Sequence, residues 1–236
     1  MMRLLVVTPV NTDHFNAEIA ASVKEVVAPD TRIDVKNINQ GTSCIQSRVD
    51  LAVNAPHVIE LIGKEAKNYD GVFVTDMDMC GVEQSRELVD IPVIGGFRAS
   101  AYTAMMLSQK YAILTIRGTH DLQNEHVRAF GIQGNLATIS ALDLGVYDLD
   151  NKERVFDLLV SHALRAIKSN GAESIIFGCT GFVGYAEPLS RVLSEELSCY
   201  IPVIDPNHCA IKYLELLVLN KLRQSQISYP KVNGIS

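Results

Sequence analysis

The sequence predicts an α/β protein with Rossmann-like (flavodoxin-like) parallel sheets flanked by helices. The first observation is that short apolar runs alternate with longer amphipathic stretches along all 236 residues. The second is that the runs at 4–8, 71–75, 111–116 and 174–177 are continuously apolar. Strands that are buried on both faces of a parallel sheet have this pattern, whereas half-exposed strands alternate. The third is a weak internal repeat, described below.

Eight strands and eight helices follow from these runs, because strand–helix alternation is typical of parallel sheets with crossover helices. The predicted strands are 4–8, 32–35, 71–75, 92–94, 111–116, 136–141, 174–177 and 202–204. The predicted helices are 17–27, 49–68, 82–88, 99–108, 121–130, 151–170, 189–197 and 209–221.

The internal repeat relates residues 69–96 to residues 171–206. Each copy contains an apolar strand, a polar turn with glycine, a helix and the letters IPVI. The strand openings at 3–9 and 110–119 are related in the same way. We therefore expect two pseudo-symmetric α/β halves that face each other, one from residues 1–96 plus 207–236 and the other from residues 97–206. The competing interpretation, that any α/β chain shows such self-likeness, stays open at this point.

Composition narrows the function classes. The net charge of −6 is spread without blocks, which argues against nucleic acid or an anionic membrane as a partner. The five cysteines are odd in number and irregularly spaced, and no CxxC or zinc-type cluster occurs. We therefore expect free thiols in a reducing, cytoplasmic compartment and no metal. The N-terminal apolar run is too short for a signal peptide, and no run approaches the roughly 18–20 residues that span a bilayer.

Polar turns follow four of the predicted strands, at 9–12, 76–81, 117–120 and 178–181. Ligands bind at the carboxyl ends of strands in open α/β sheets. If the halves face each other, Asp76 and Cys179 hold equivalent positions on opposite walls of one cleft. Cys179 lies in a small-residue turn before helix-forming sequence, so neighbouring N–H groups are expected to bind an anion and to lower the thiol pKa. A buried structural cysteine is the alternative interpretation.

Four segments together resemble the hydantoin/allantoin racemase branch of the aspartate/glutamate racemase superfamily. They are GCTGF at 178–182, ELVDIPVIG at 87–95, GTSCIQS at 41–47 and the opening strand that ends in Pro-Val-Asn-Thr. The resemblance covers residues 3 to about 220. It implies a usually oligomeric, cofactor-independent racemase or epimerase with its active site between the two halves. The implied substrate is a small compound with an acidic carbon, such as a 5-substituted hydantoin or allantoin.

The resemblance also implies the chemistry. In the family, two cysteines stand on opposite faces of the substrate's α-carbon, where one thiolate removes a proton and the other thiol donates one. Backbone N–H groups hold the negative charge of the planar intermediate. Cys179 matches the second family cysteine. The position of the first is occupied by Asp76, and Cys80 follows four residues later, where a shifted turn would bring it into the cleft.

Three catalytic outcomes stay open from the sequence. Asp76 serves as the second acid/base, which requires burial to raise its pKa. Alternatively Cys179 works alone as a proton donor, as in the arylmalonate decarboxylases of the same superfamily. In the third outcome Cys179 is a nucleophile and Asp76 positions water, as in a hydrolase or a cis–trans isomerase. A non-catalytic binding protein on the same scaffold is a further alternative.

A wider set of residues is expected to bind a polar or anionic substrate. Arg98 and His120 are candidates for an anionic group, although Arg98 also fits a solvated helix residue. Asn11 and Thr12 are candidates through their amide and hydroxyl groups, although Thr12 also fits a helix cap. The complete predicted set is Asn11, Thr12, Ser43, Cys80, Gly81, Arg98, Thr119, His120, Thr180 and Gly181.

Overall fold

A computed structural model describes residues 1–232 and contains two four-stranded, fully parallel sheets. The first sheet has the strand order β2-β1-β3-β4, and the second has the corresponding order β6-β5-β7-β8. The predicted fold class is confirmed. The strands are β1 (Met2–Thr8), β2 (Thr31–Asn37), β3 (Gly71–Val74), β4 (Val93–Gly95), β5 (Tyr111–Thr115), β6 (Leu136–Ala141), β7 (Ser174–Phe177) and β8 (Val203–Ile204).

Helices connect the strands in every interval. The helices are α1 (Asn16–Val26), α2 (Arg48–Glu65), α3 (Val82–Ser85), α4 (Gly96–Leu107), α5 (His120–Ala129), α6 (Lys152–Asn170), α7 (Ala186–Leu197) and α8 (Pro206–Leu219). Short 3-10 turns lie at Ala66–Asn68, Gln133–Asn135 and Val146–Asp150. Within residues 1–232, no helix combines the length and the apolar character that crossing a bilayer requires.

The four continuous apolar runs of the sequence form the two central strands of each sheet. β1 and β3 pair with each other and each with an edge strand, and β5 and β7 do the same in the second sheet. Every residue of β3, β5 and β7 is buried. Central strands are covered by helices on both faces, which is why their sequences do not alternate.

Three helices begin three residues earlier than the sequence patterns predict. α4 begins at Gly96, α7 at Ala186 and α8 at Pro206. The first turn of each contains glycine, proline or polar residues that weaken the apolar periodicity. At α8 the Asp205 carboxylate accepts the N–H groups of the first turn, and proline is tolerated in this position because its missing N–H has no partner in a helix.

α4 and α8 cross between the two halves. α4 follows β4 of the first sheet but packs on β5, β7 and β8 of the second, and α8 follows β8 but packs on β3 and β4. The two helices also pack against each other. This exchange holds the carboxyl ends of β3 and β7 opposite one another, which places the polar turns of the two halves in one region.

Candidate active site

A cavity lies between the two halves, and both Asp76 and Cys179 line it. Each residue stands two positions beyond the end of a central strand, Asp76 after β3 and Cys179 after β7. Hence the internal repeat brings two different proton-carrying groups to corresponding places on opposite halves. The lining residues are Thr8, Pro9, Val10, Phe15, Glu18, Ile19, Cys44, Ile45, Thr75, Asp76, Met77, Asp78, Ile116, Thr119, Val146, Leu149, Gly178, Cys179, Thr180, Gly181 and Val183.

The lining is mostly apolar, and its charged residues are all acidic. Among the lining residues, all within the described chain, there is no lysine, arginine or histidine. Glu18 forms an ion pair with Lys152 across the two halves, so its charge is compensated. Within residues 1–232, neither Asp76 nor Asp78 has such a cation among the lining residues. A site of this kind suits an uncharged ligand better than an anionic one, because unpaired like charges repel in a low-dielectric site.

The backbone before Cys179 is fixed by buried hydrogen bonds. The Gly178 carbonyl accepts Nε2 of Gln123 at 2.6 Å and Oγ1 of Thr115 at 3.0 Å. Burial raises the pKa of the Cys179 thiol to about 12, and the N–H of Gly181 opposes this rise only in part. The expected lowering of the pKa is therefore wrong: α7 begins seven residues after Cys179, so no helix N-terminus adjoins the thiol, and burial dominates.

Asp76 is 8% exposed and is held by the backbone of its own turn. Its Oδ2 accepts the N–H of Cys80 at 2.8 Å, and its carbonyl accepts the N–H of Gly96 at 3.0 Å. Burial raises the pKa of the Asp76 carboxyl, while N–H groups of Cys80, Asp78 and Met77 oppose the rise. A carboxylate with a raised pKa is a stronger base, which is the condition that a second acid/base requires.

Asp78 lines the same cavity, although the sequence analysis did not single it out. It is 6% exposed, and within residues 1–232 its Oδ1 has no hydrogen-bond partner. Burial raises the pKa of Asp78 well above its ordinary value, the neighbouring charge of Asp76 raises it further, and the Gln123 side chain opposes the rise only in part. The only signal in the sequence was its place in the polar turn at 76–81, since spacing does not tell which side chains of a turn point inward.

Three hydrogen bonds tie the turns of the two halves together. Thr180 Oγ1 donates to the Thr75 carbonyl at 3.0 Å, and Thr75 Oγ1 donates to Asn207 Oδ1 at 2.9 Å. Asn207 Nδ2 donates to the Thr180 carbonyl at 2.8 Å. Thr75 adjoins Asp76 and Thr180 adjoins Cys179, so this network fixes the separation of the two reactive groups. Asn207 is 1% exposed and was missed because the sequence patterns start α8 at 209.

Of the ten predicted binding residues, three line the cavity: Thr119, Thr180 and Gly181. Gly181 lies close to the thiol, since a Cβ there would be 3.5 Å from Cys179 Sγ and 2.7 Å from Leu149. Thr119 is 2% exposed, and its hydroxyl bonds the Ile116 carbonyl at 3.1 Å.

Four others lie outside the cavity lining and bind other parts of the chain. Asn11 Nδ2 donates to the Gly41 carbonyl at 2.5 Å, and Thr12 Oγ1 accepts the His14 N–H at 3.2 Å. The Ser43 carbonyl accepts the Tyr147 hydroxyl at 3.3 Å. His120 is exposed at the start of α5, where its Nδ1 lies 2.9 Å from Asp121 Oδ1.

Cys80, Gly81 and Arg98 line a second cavity on the other side of the 76–81 turn. The turn has left-handed backbone at Met79 (φ 59°) and Gly81 (φ 69°), and Cys80 between them is absent from the lining that contains Cys179. Cys80 Sγ lies 3.8 Å from the Leu51 carbonyl, and burial together with the adjacent carboxylates raises its pKa. The displaced thiol therefore does not join the first cavity.

Arg98 likewise faces the second cavity. Its guanidinium carbon lies 4.0 Å from the centre of the Phe130 ring, and its Nη2 lies 3.6 Å from Glu83 Oε1. The stacking and the ion pair give Arg98 a packing role on α4. The expected contact with an anionic substrate in the main cavity is not available from this position.

Two loops from opposite halves cover the cavity. Cys44 and Ile45 belong to the loop before α2, and Val146 and Leu149 belong to the turn before α6. Gln46 joins the loops by bonds to the Arg117 carbonyl at 3.3 Å and the Val146 N–H at 3.4 Å. Cys44, which the sequence patterns did not single out, is a second thiol in the lining.

No group of three or more His, Cys, Asp and Glu side chains within residues 1–232 is arranged to hold a metal ion.

Comparisons with known proteins agree over the whole chain. The family model described as Asp/Glu/Hydantoin racemase matches residues 4–214. A hydantoin racemase of Paenarthrobacter aurescens is 31% identical over 92% of this chain and 91% of its own length, and one of Pseudomonas sp. (strain NS671) is 28% identical over 92% and 86%. The structure of an allantoin racemase from Klebsiella pneumoniae is 28% identical with a TM-score of 0.88, covering 100% of this chain and 96% of that chain.

Proposed function

Because the chain belongs to the Asp/Glu/hydantoin racemase family and is therefore an isomerase of the racemase class, we propose that it racemises uncharged 5-substituted hydantoins through Asp76 and Cys179. One observation carries the proposal. The two side chains lie at corresponding positions beyond β3 and β7 and line one cavity from opposite halves. Inversion without a cofactor needs one proton carrier on each face of the reacting carbon.

The proposed reaction uses the two groups in different protonation states. The Asp76 carboxylate removes the proton from the carbon beside the ring carbonyl, and the C–H electron pair becomes the enolate. The Cys179 thiol, protonated at neutral pH because of its raised pKa, gives its proton to the opposite face and becomes the thiolate. A proton then passes from the Asp76 carboxylic acid to the thiolate through solvent. Alternatively, the next turnover runs in the opposite direction, with the Cys179 thiolate as the base and the Asp76 carboxylic acid as the acid.

The cavity lining supports a neutral substrate with an apolar substituent. Phe15, Ile45, Val146 and Leu149 offer apolar surface on several sides, and the lining contains no basic residue. An amino acid such as aspartate or glutamate would place its carboxylates against Asp76 without a compensating cation. A hydantoin has no charged group at neutral pH, and its carbonyl acidifies the adjacent carbon.

The test is racemisation of enantiopure 5-benzylhydantoin in D2O. We expect loss of circular dichroism together with the gain of one deuterium at C5, measured by NMR and mass spectrometry. Wild-type protein that neither racemises nor exchanges any member of a 5-alkyl and 5-aryl hydantoin panel would overturn the proposal.

Two substitutions separate the roles of the two groups. Cys179→Ala should lower racemisation by about 10²–10⁴-fold, because general acid catalysis contributes that much. The same variant should still exchange deuterium into one enantiomer with retention, since Asp76 remains. Asp76→Asn should abolish that exchange. Cys199→Ala is the matched control, because Cys199 is exposed and lies outside the cavity. Equal exchange of both enantiomers in Cys179→Ala would contradict the assignment.

A second candidate is a lyase that uses Cys179 alone as a proton donor to a carbanion made by loss of CO2. The high pKa of the Cys179 thiol favours this candidate, because the group is already the acid form at neutral pH. The acidic cavity argues against it, since a dicarboxylate substrate finds no cation there. Release of CO2 from aryl-substituted malonates, without racemisation of hydantoins, would favour this candidate.

A further inference from the structure

Two carboxyl groups of one turn line the main cavity in different environments. Asp76 Oδ2 receives the N–H of Cys80 at 2.8 Å. Asp78 is 6% exposed and receives no hydrogen bond at Oδ1 from any residue within 1–232, and the neighbouring Gln123 side chain opposes the rise of its pKa only in part. A carboxylate is stabilised by N–H donors and destabilised by burial without them. When two neighbouring carboxyls share a buried site, the first proton is therefore lost from Asp76, and Asp78 keeps its own.

The surrounding charges do not reverse the order in which Asp76 and Asp78 lose their protons. In the second cavity, which Asp78 also borders, the cations are already paired: Arg48 with Glu125 and Arg98 with Glu83. His126 Nε2 lies 3.1 Å from the backbone carbonyl of Asp78, and burial lowers the pKa of the imidazole, so it is neutral. Among the residues that line the two cavities, no unpaired cation is thus left to hold Asp78 in its charged form.

The threonine hydroxyl groups that line the cavity already donate hydrogen bonds to other groups of the protein. Thr8 donates to Asn16 Oδ1 at 2.8 Å, and Thr75 donates to Asn207 Oδ1 at 2.9 Å. Thr180 donates to the Thr75 carbonyl at 3.0 Å.

Thr119 completes the set, since its hydroxyl bonds the Ile116 carbonyl and the Thr115 hydroxyl. A ligand carbonyl in the cavity therefore finds no free threonine hydroxyl as a donor.

We propose that Asp78, as a neutral carboxylic acid, donates a hydrogen bond to the substrate carbonyl next to the reacting carbon and stabilises the enolate oxygen. This inference rests on the proposed racemase function, and it adds Asp78 to Asp76 and Cys179 as a third side chain that acts on the substrate. When Asp76 removes the proton, the C–H electron pair moves toward that carbonyl and negative charge collects on its oxygen. A preorganised donor in a buried, low-dielectric site stabilises this charge more than it stabilises the neutral ground state. The Asp78 proton stays on Asp78 throughout.

Two substitutions at Asp78 test the donor role. Asp78→Leu has similar size and no donor, and we expect kcat for 5-benzylhydantoin to fall by about 10²–10³-fold, as for the loss of one oxyanion-hole donor. Asp78→Asn keeps an N–H donor, and kcat should stay within about tenfold of wild type. Deuterium exchange should fall in parallel with racemisation, since the enolate is common to both. An Asp78→Leu variant as active as wild type, or an Asp78→Asn variant as inactive as Asp78→Leu, would overturn the proposal.

A second measurement decides the protonation of Asp78 without any activity. The infrared difference spectrum of wild type minus Asp78→Asn at pH 7 should contain the carbonyl band of a protonated carboxylic acid, whereas only carboxylate bands would overturn the inference. Wild-type protein that is silent on hydantoins but shows the acid band would reject the proposed substrate and leave the neutral Asp78 established. Thermal melting of each variant shows whether it is folded.

Discussion

Replacement of Gly178 by alanine adds one methyl group directly behind the candidate catalytic thiol. The new Cβ would lie 2.5 Å from Gln123 Oε1, 2.6 Å from Thr115 Cβ and 2.8 Å from Ile113 Cγ2. All three neighbours are fully buried. Gln123 is also held in place, because its Nε2 donates to Thr115 Oγ1 and to the Gly178 carbonyl. The methyl group therefore cannot be accommodated by a free rotation of one side chain.

The expected destabilisation has two parts. Overpacking of a tight core costs about 1–3 kcal/mol. If Gln123 moves away, its two buried hydrogen bonds are lost, each with a net contribution of about 1 kcal/mol. We therefore expect Gly178→Ala to lower the free energy of unfolding by about 2–5 kcal/mol, a large fraction of the stability of a typical domain. Racemisation should fall as well, because Cys179 follows the displaced backbone.

Urea unfolding followed by circular dichroism measures this effect. Gly63→Ala is the matched control, because Gly63 lies exposed in the last turn of α2 and a Cβ there has no atom within 4 Å. Alanine should stabilise that helix by about 0.5–1 kcal/mol. The two substitutions should therefore change the free energy of unfolding in opposite directions. A loss below about 0.5 kcal/mol at Gly178 would show that the site relaxes freely and would refute the reasoning.

Three further substitutions or measurements follow from the site. Asn207→Leu should lower the free energy of unfolding by about 2–4 kcal/mol, since it leaves Thr75 Oγ1 and the Thr180 carbonyl without their buried partner, and the racemisation rate should fall with it. Alkylation of Cys179 by iodoacetamide in the ligand-free protein should rise about tenfold per pH unit from pH 7 to 10 without a plateau, because the thiolate fraction grows toward a pKa of about 12. Arg98→Met should leave kcat/KM for a neutral hydantoin within about twofold, because its guanidinium stacks outside the main cavity.

Each of these three predictions would be contradicted by a particular result. Asn207→Leu with unchanged stability and rate would show that the two turns are held by other contacts. A plateau of the Cys179 alkylation rate between pH 7 and 9, in a variant that lacks the other four cysteines, would show a thiol of lower pKa. A large rise of KM in Arg98→Met, with unchanged melting temperature, would place the guanidinium at the substrate after all.

The sequence predicted the architecture well because burial leaves a direct trace in composition. The continuous apolar runs identified the central strands, and the repeat placed Asp76 and Cys179 opposite one another. The direction of side chains within a turn leaves no such trace. Asp78 lines both cavities, whereas Cys80 lines the second and not the first, in a turn where Met79 and Gly81 adopt positive φ.

Helix boundaries account for the remaining differences. α4 begins at Gly96, three residues before the predicted start, so Arg98 lies in its first turn and its side chain faces Glu83 and Phe130. α8 also begins three residues earlier than the sequence patterns predict. The patterns therefore leave Asn207 outside the helix and do not single it out, although its two hydrogen bonds join both halves. The sign of the Cys179 pKa shift depends on burial, which outweighs the one N–H that the turn supplies.

The hydrogen bonds that join the two halves differ between the two sides of the cavity. On the side of α8, Asn207 joins the halves with bonds of 2.8 and 2.9 Å between buried groups. On the side of the covering loops, Gln46 joins them with bonds of 3.3 and 3.4 Å at the surface. We therefore expect the two halves to separate first at the covering loops, so that a substrate enters and leaves the cavity beneath Cys44 and Val146.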